Sequence, residues 1–380
     1  MHILLLTVSY KSTFNPLSAP FFRDQALALK NNGCKVGVLC PLPVSLKSIW
    51  KNKLFSFNEE SYVDEGITTL VAPFPSLPKT PNRARRIRLK KGKQLFKKYV
   101  NENGKPDIIH VHSFSAGELA IWIKDKYNIP YVVTEHSTGF ARDIYNASFV
   151  ELAKSVFQNS AFNIAVSVQF CQLLSQKFSL DFRYVPNVVD TSFFDLDKRN
   201  KKNDCYTFLN VAFLNKKKNH KGMIKSFAEH FKGKKAKLLI AGDGPEANIL
   251  MNYSRSLGVE NQIELLGRKT RQDVRLLMQK ADCFVLSSFH ETFGVVLIEA
   301  MSCGTPVLST KCGGPESIVT NDEVGILSDF DSFGENMALI YSKKYNPDTI
   351  RKYAVDHFSE SVIAEKLTKI YNDELNSINA

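Results

Sequence analysis

Two glutamates stand eight positions apart in the stretch HETFGVVLIEAMSCGTP, residues 290–306. Glu291 precedes Gly294, and Glu299 lies within an apolar run that has the character of a buried helix. At about 3.6 residues per turn, the two carboxylates project in similar directions. A carboxylate among apolar residues is costly to bury alone, and the hydroxyl pairs of a sugar or a ribose are suitable partners for it. The alternative is a surface helix that carries incidental glutamates.

The start of this helix is a candidate phosphate site. Gly294 lets a ligand approach the backbone, and the N–H groups of Phe293, Gly294, Val295 and Val296 would point at that ligand. The strand CFVLSS comes immediately before this turn. The sequence therefore predicts an anion site where a strand ends and a helix begins.

A second strand-to-helix turn lies in LLIAGDGPEANIL. Gly242, Gly244 and Ala247 match a loose dinucleotide-binding pattern, and Pro245 suits the first helical turn. The same residues fit an ordinary tight turn equally well. The sequence contains no G-x-x-x-x-G-K-[ST], which disfavours a P-loop nucleotide hydrolase.

Three histidines lie in or just after predicted strands. His136 ends YVVTEH, at the carboxyl end of a strand, where ligands of parallel sheets bind; the alternative is a satisfied histidine in the interdomain wall. His110 and His112 share one face of a strand, which suggests a metal site, but no further ligand cluster is evident and strand packing is favoured. We predict no metal, because Asp195–Asp197 and Asp329–Asp331 fall in predicted loops.

Positive charge is concentrated in one segment. Residues 79–98 contain ten lysines or arginines and no acid, and subtracting these from the net +12 leaves +2. A solvated helix face is one interpretation, and a patch for anionic partners is the other. Leu95, Phe96, Tyr99 and Val100 add an apolar stripe at helical spacing, so contact with a membrane surface is at least as plausible as contact with nucleic acid.

Strands alternate with helices along the whole chain, which predicts an α/β protein with parallel sheets. A length of 380 residues favours two domains. We place a first domain at 1–186, a second at 187–357 and a last amphipathic helix at 358–380, which packs back on the first domain.

The location of the protein is predicted to be cytoplasmic. Seven scattered cysteines without a CxxC pair fit reduced thiols. The apolar runs are shorter than the ~20 residues that a membrane span needs. The opening HILLLTVSY resembles a first strand rather than a signal peptide.

The E-x(7)-E pair followed by AMSCGTPVLSTKCGGPESIV, together with GDGPE, resembles the family-four retaining glycosyltransferases of the GT-B fold. The resemblance is strongest over residues 205–335. It implies two Rossmann-like domains facing across a cleft and a nucleotide-sugar donor, with UDP-sugars favoured, and no cofactor or metal.

The resemblance also assigns roles to individual residues. It implies that Glu291 and His136 face the donor sugar, that Glu299 holds the ribose, and that Lys218 binds the diphosphate. The backbone of Phe293, Gly294 and Val295 would meet the sugar and the diphosphate, and Gly267 with Arg268 would form the edge that binds the base.

The chain departs from the family pattern at three places. The pattern V-G-R-L-x-x-x-K-G maps onto VAFLNKKKN, so Phe213 stands in place of the arginine and Asn219 in place of the glycine. Lys216 or Lys217 could compensate for the missing arginine. The glycine pair of the first strand–helix loop is also absent, and Ala19 and Pro20 stand near its place.

The function expected from these features is retaining, hexosyltransferase-type transfer of a sugar to a hydroxyl of a glycan or lipid-linked acceptor. Synthesis of cell-surface polysaccharide, lipopolysaccharide or glycoconjugate is the predicted role, at the inner face of the membrane through residues 79–98. The alternatives are a nucleotide-sugar epimerase of the same fold and a basic nucleic-acid-binding protein, although no nucleic-acid partner is expected.

Overall fold

The computed structural model describes residues 1–14, 20–52, 56–76, 81–197 and 204–379. The chain divides into two compact units. One comprises Met1–Val166, Cys171–Val188 and Glu360–Ala380, and the other comprises Ser167–Phe170 and Val189–Ser359. Apart from the short segment Ser167–Phe170, the divisions fall after Val188 and after Ser359, whereas the sequence places them after 186 and after 357.

The first unit is built on an eight-stranded sheet of order β10-β9-β8-β7-β1-β2-β5-β4, and β3 pairs with β6 separately. All neighbours in the large sheet are parallel except β4, which runs antiparallel to β5. The strands β1 and β7 are buried along their whole length, as expected for parallel strands covered on both faces. The strands are β1 His2–Leu6, β2 Lys35–Cys40, β3 Pro43–Ser45, β4 Glu60–Asp64, β5 Ile67–Val71, β6 Phe74–Ser76, β7 Ile108–His112, β8 Tyr131–Glu135, β9 Phe162–Ala165 and β10 Arg183–Tyr184.

Helices cover this sheet. They are α1 Pro20–Asn31, α2 Leu46–Asn52, α3 Pro81–Asn103, α4 Gly117–Tyr127, α5 Ala147–Asn159, α6 Val168–Phe178 and, from the end of the chain, α13 Glu360–Asn379. Helix α13 packs on the sheet of the first unit, where the Tyr371 hydroxyl lies 2.6 Å from His110 Nδ1. Pro20 begins α1, and Ala19 lies outside the described residues. No helix of the described ranges is both long and apolar enough to span a membrane.

Helix α3 carries the basic segment, and here the structure corrects one expectation. The side chains of Leu95, Phe96 and Tyr99 are fully buried, so the apolar stripe belongs to the core rather than to a lipid-facing surface. Tyr99 closes over Gly37, where a Cβ would lie 2.1 Å from the tyrosine oxygen. An apolar stripe at helical spacing can face a protein core or a membrane. Here it packs against the first unit.

The second unit contains a six-stranded sheet of order β13-β12-β11-β14-β15-β16, parallel throughout. Its strands are β11 Tyr206–Val211, β12 Ala236–Ala241, β13 Ile263–Gly267, β14 Cys283–Leu286, β15 Val307–Thr310 and β16 Gly325–Ser328. Its helices are α7 His220–Phe231, α8 Ala247–Leu257, α9 Arg271–Lys280, α10 Val295–Ser302, α11 Phe333–Ser342 and α12 Pro347–Phe358.

The glycines of GDGP pack the turn after β12 against the turn after β11. A Cβ on Gly242 would lie 1.8 Å from the Ala212 carbonyl oxygen, and one on Gly244 would lie 2.3 Å from that of Leu214. The helix begins at Ala247 with Glu246 as its N-cap, so the prediction of Pro245 in the first helical turn is wrong. Close backbone approach accounts for both glycines, as in the tight-turn interpretation.

Candidate functional site

Predicted site residues of the second unit gather at the carboxyl ends of its strands. Lys218 follows β11, Glu291 follows β14, and β11 and β14 are neighbours in the sheet. Carboxyl ends of adjacent parallel strands meet at one edge, which is where such sheets bind ligands. Sequence positions far apart are therefore brought together.

Lys218 and Glu291 form an ion pair. The Lys218 ammonium donates a hydrogen bond to Glu291 Oε1, and Ser288 Oγ donates to the same oxygen at 2.7 Å. Lys217 Nζ lies 3.7 Å from Glu291 Oε2. The carboxylate is buried, with 8 % of the residue exposed. Glu291 is thus enclosed by two cations and a hydroxyl.

This environment decides the charge of Glu291. Burial on its own raises the pKa of the carboxyl, but the Lys218 and Lys217 ammonium groups and the bonds from Lys218 and Ser288 hold that pKa below its ordinary value. The group is therefore ionised at neutral pH. The site contains a fixed carboxylate next to two positive charges.

The N-terminus of α10 lies directly after this carboxylate in the chain. The helix starts at Val295, and Gly294 is its N-cap with φ 110°, a conformation that favours glycine. The first amides of an α-helix have no acceptor within the helix, so those of Val295 and Val296 point out of its end. The Phe293 side chain is buried and packs against Phe358 at a ring distance of 6.0 Å, which leaves only the backbone of Phe293 for a ligand.

Glu299 lies in α10 and is half-buried among apolar neighbours. Leu297, Ile298, Ala300 and Met301 are fully buried around it. The sequence predicts this contrast, because one polar side chain interrupts an otherwise apolar helix.

A glycine pair after β15 supports the turn between β14 and α10. A Cβ on Gly314 would lie 2.3 Å from the Phe293 nitrogen, and one on Gly313 would lie 3.1 Å from the Glu291 carbonyl oxygen. The Glu291 amide also donates to the Cys312 carbonyl at 3.0 Å. The backbone on either side of the carboxylate is therefore fixed by the neighbouring loop.

Gly267 and Arg268 lie at the carboxyl end of β13. Gly267 has φ 67°, and its carbonyl accepts a hydrogen bond of 2.9 Å from the amide of Gly242. Both residues are exposed, and this part of the edge is separated from Lys218 and Glu291 by the strand β12.

His136 belongs to the first unit, where it follows β8. Its Nε2 shares a hydrogen bond of 3.2 Å with His112 Nδ1. Phe21 and Phe22 pack against the ring at 5.5 Å and 5.0 Å. Burial and His110 lower the pKa of His136 to about 3, against a hydrogen bond with Asn187 that raises it. The imidazole is therefore neutral at physiological pH.

A buried carboxylate fixes the backbone at His136. Glu135 accepts hydrogen bonds from the amides of Phe114, His136 and Ser137 at 2.8, 3.0 and 2.8 Å, and from Ser113 Oγ at 3.0 Å. Burial raises the pKa of Glu135, and these bonds oppose that rise. Glu135, the last residue of β8, therefore fixes the backbone of the loop that follows the strand.

His110 and His112 pack within the strand, as the favoured interpretation had it. Their rings stack at 4.5 Å, and His110 Nε2 lies 2.7 Å from Thr134 Oγ1. Over the ranges the structure describes, no group of three or more His, Cys, Asp or Glu residues could hold a metal ion.

Several residues of the site were missed by sequence reasoning. Ser288 stands three positions before Glu291, a spacing that signals a local bond to the carboxylate. Gly314 lies in CGGP, where a glycine pair indicates close backbone approach. The pairings of Lys218 with Glu291 and of His112 with His136 join residues distant in sequence and left no local signal.

Two models of known protein families together match most of the chain. The model of "Glycosyltransferase Family 4" matches residues 20–193, and that of "Glycosyl transferases group 1" matches residues 192–357. Their division falls close to the boundary between the two units.

Similar proteins of assigned activity are distant in sequence. The N-acetyl-alpha-D-glucosaminyl L-malate synthase of Bacillus anthracis is 25 % identical over 288 residues, 71 % of this chain and 75 % of that protein. The alpha-monoglucosyldiacylglycerol synthase of Streptococcus pneumoniae is 25 % identical over 299 residues, 72 % of this chain and 68 % of that protein.

The fold is shared with solved structures. HepE of Anabaena, solved in complex with UDP-glucose, superposes with a TM-score of 0.72 at 17 % identity, over 98 % of this chain and 100 % of that one. This confirms the predicted GT-B fold of two Rossmann-like units. Since the two family models together span residues 20–357, the chain belongs to the group 1 and family 4 glycosyltransferases.

Proposed function

We propose that the protein transfers a sugar from a nucleoside-diphosphate sugar, with a UDP-sugar favoured, to a hydroxyl of a glycan or lipid-linked acceptor, with retention of anomeric configuration. The observation that carries the proposal is the juxtaposition of Lys218, Glu291 and the N-terminus of α10 at one strand edge. The UDP-glucose complex of HepE, a protein of the same fold, supports this choice of donor.

The residues of this edge match the parts of such a donor. The diphosphate carries negative charge that grows as the bond to the sugar breaks. Lys218 and the first amides of α10 would stabilise that charge, and the proposal assigns this role to them rather than to a metal ion. Glu291 would accept hydrogen bonds from the sugar hydroxyls, and Glu299 from the ribose hydroxyls.

In the proposed transfer step, one bond forms, one bond breaks and one proton is transferred. The acceptor oxygen forms a bond to the anomeric carbon while the bond from that carbon to the phosphate oxygen breaks. The proton of the acceptor hydroxyl passes to the departing phosphate oxygen. Glu291 is ionised but paired with two lysines, so it has no role as the proton acceptor here. His136 is proposed as the residue of the first unit that faces the sugar.

The donor is tested by thermal shift of the full chain with UDP-glucose, UDP-N-acetylglucosamine, GDP-mannose and ADP-glucose. A UDP-sugar is expected to raise Tm most, because ligand binding to the folded state stabilises it. No shift with any of the four would contradict the proposal. Conversion of the donor sugar to its epimer without an acceptor would instead favour the epimerase.

We also propose that α3 contacts an anionic membrane surface that presents the acceptor. Four basic residues of this helix are exposed: Arg83, Arg86, Lys90 and Lys97. Others are already engaged, since Arg85 pairs with Glu118 at 2.6 Å and Lys98 with Glu59 at 2.7 Å. The activity named for the Streptococcus pneumoniae relative, on a diacylglycerol lipid, agrees with a membrane-borne acceptor.

Liposome co-sedimentation tests this surface. Changing the four exposed residues of α3 to glutamine should greatly reduce binding to vesicles containing an anionic lipid, and high salt should do the same. The matched control removes four exposed positive charges of the second unit, at Lys225, Lys234, Lys235 and Lys344. Equal binding by both variants would overturn the proposal.

A further inference from the structure

The diphosphate site has an unusual feature in this chain. Phe213 stands where the family pattern has an arginine, and 54 % of this residue is exposed. A phenyl ring donates no hydrogen bond and carries no charge, so it cannot bind phosphate as arginine does. The inference that follows rests on the proposed function, in which a nucleoside diphosphate binds at this edge of the sheet.

The turn after β11 offers three lysines, Lys216–Lys218, in a single 3-10 turn. Its backbone is fixed to the segment after β14. The amide of Phe289 donates to the Lys217 carbonyl at 2.8 Å, and Ser287 Oγ donates to the Lys218 carbonyl at 3.0 Å. The backbone of the lysine turn is therefore fixed by the same segment that carries Glu291.

Only two of the three ammonium groups are directed at Glu291. Lys218 bonds to Oε1, and Lys217 lies 3.7 Å from Oε2. Their side chains are 17 % and 20 % exposed, whereas Lys216 is exposed on the same turn. Each of the two ammonium groups thus lies at one oxygen of the same carboxylate. A carboxylate resembles a phosphate group in that its negative charge is shared between oxygen atoms.

We propose that Lys217 acts with Lys218 as the second cation that binds the diphosphate, in place of an arginine at position 213. Glu291 contacts both ammonium groups and keeps two like charges close together. When the donor binds, its diphosphate shares these cations. Two lysine ammonium groups from one turn would then replace the bidentate hydrogen bonds that a single arginine makes to phosphate.

Isothermal titration calorimetry with UDP and, separately, with uridine tests this inference. Lys217→Ala should weaken UDP binding about tenfold, as expected for one lost charge-assisted hydrogen bond, while uridine binding stays unchanged. Lys216→Ala is the matched control and should bind UDP as the wild type does. The decisive variant is Lys217→Ala with Phe213→Arg, which should regain most of the lost affinity.

The outcomes separate this inference from the proposed function. If Lys218→Ala weakens UDP binding but Lys217→Ala equals Lys216→Ala, the inference is wrong and the function stands. If Lys217→Ala loses UDP and uridine equally, or the added arginine restores nothing, Lys217 only neutralises Glu291 and the inference is overturned. If the wild-type protein binds no UDP, GDP or ADP, both fail.

Discussion

Lys218 and Glu291, 73 residues apart in sequence, are joined by a partly buried ion pair at the carboxyl ends of two adjacent strands. Breaking such a pair leaves a charge without its partner in a poorly solvated place. The pair therefore links the stability of the second unit to its proposed donor chemistry. It also holds two positive charges, those of Lys217 and Lys218, at the edge where the proposed diphosphate would bind.

Glu291→Gln is expected to separate binding from transfer. The amide cannot serve as the ionised partner of the sugar hydroxyls, so turnover should fall roughly ten- to a hundredfold, as expected when a hydrogen bond to a charged group is lost. The variant also removes a negative charge that competes for Lys217 and Lys218, so the UDP affinity should be equal or higher. Steady-state transfer rates and titration with UDP measure the two effects.

Glu323→Gln is the control for this change, because Glu323 is an exposed loop residue of the same unit. Wild-type turnover in Glu291→Gln would be inconsistent with the assigned role. A large loss of UDP affinity would also argue against it, since the carboxylate would then hold the nucleotide rather than the sugar.

Glu299→Gln should weaken UDP binding about tenfold, because a charge-assisted hydrogen bond to the ribose hydroxyls is replaced by a neutral one. The test compares UDP with 2′-deoxy-UDP by titration. The wild-type protein should prefer UDP, and the variant should lose most of that preference. Glu335→Gln, at an exposed position in α11, is the control. An unchanged preference for the 2′-hydroxyl would refute the assignment.

The buried histidines predict how stability changes with pH. Burial lowers the pKa of His110 to about 3, below its unfolded value of about 6.5. The neutral ring contributes stability that is fully present above pH 6.5 and is lost as pH falls toward 3. Between pH 7 and pH 5 the loss from this group is about 2 kcal/mol.

Urea unfolding at the two pH values measures this loss. His110→Gln should have a pH dependence smaller by about 2 kcal/mol, whereas His290→Gln, at an exposed position, should behave as the wild type. An identical pH dependence in all three proteins would show that His110 does not resist protonation.

Gly314→Ala should disturb the proposed donor site, although Gly314 lies in a neighbouring loop. The added Cβ would lie 2.3 Å from the Phe293 nitrogen and must displace the turn that leads into α10. UDP affinity should fall, as measured by titration. Gly104→Ala is the control for a glycine replacement without a steric clash, because nothing lies within 4 Å of the new Cβ. Equal UDP affinity in both variants would contradict the predicted displacement.

Local patterns in the sequence predict much of the fold. Alternating strands and helices, and the apolar runs of β1, β7 and β12, identify parallel sheets, because strands covered on both faces are apolar throughout. The antiparallel β4 and the short pair β3–β6 were not predicted, since their few residues carry no distinct periodicity. The stripe of α3 fits both a core and a lipid-facing surface, because periodicity says which residues share a face and not what covers it.

The site was predicted in part for a similar reason. Gly294 as the start of α10 and Glu299 within it follow from a few adjacent residues. The engagement of Glu291 by Lys217 and Lys218 depends on which strands are neighbours in the sheet, and this is decided by tertiary packing. The mutual contact of His112 and His136 has the same origin.

Hydrogen exchange of the full chain with and without UDP tests the proposed location of the donor site most directly. Slower exchange on UDP binding is expected in two segments, the turn at 215–219 and the stretch 288–298 that leads into α10. Slower exchange confined to the first unit, or UDP binding without any change in these two segments, would contradict it.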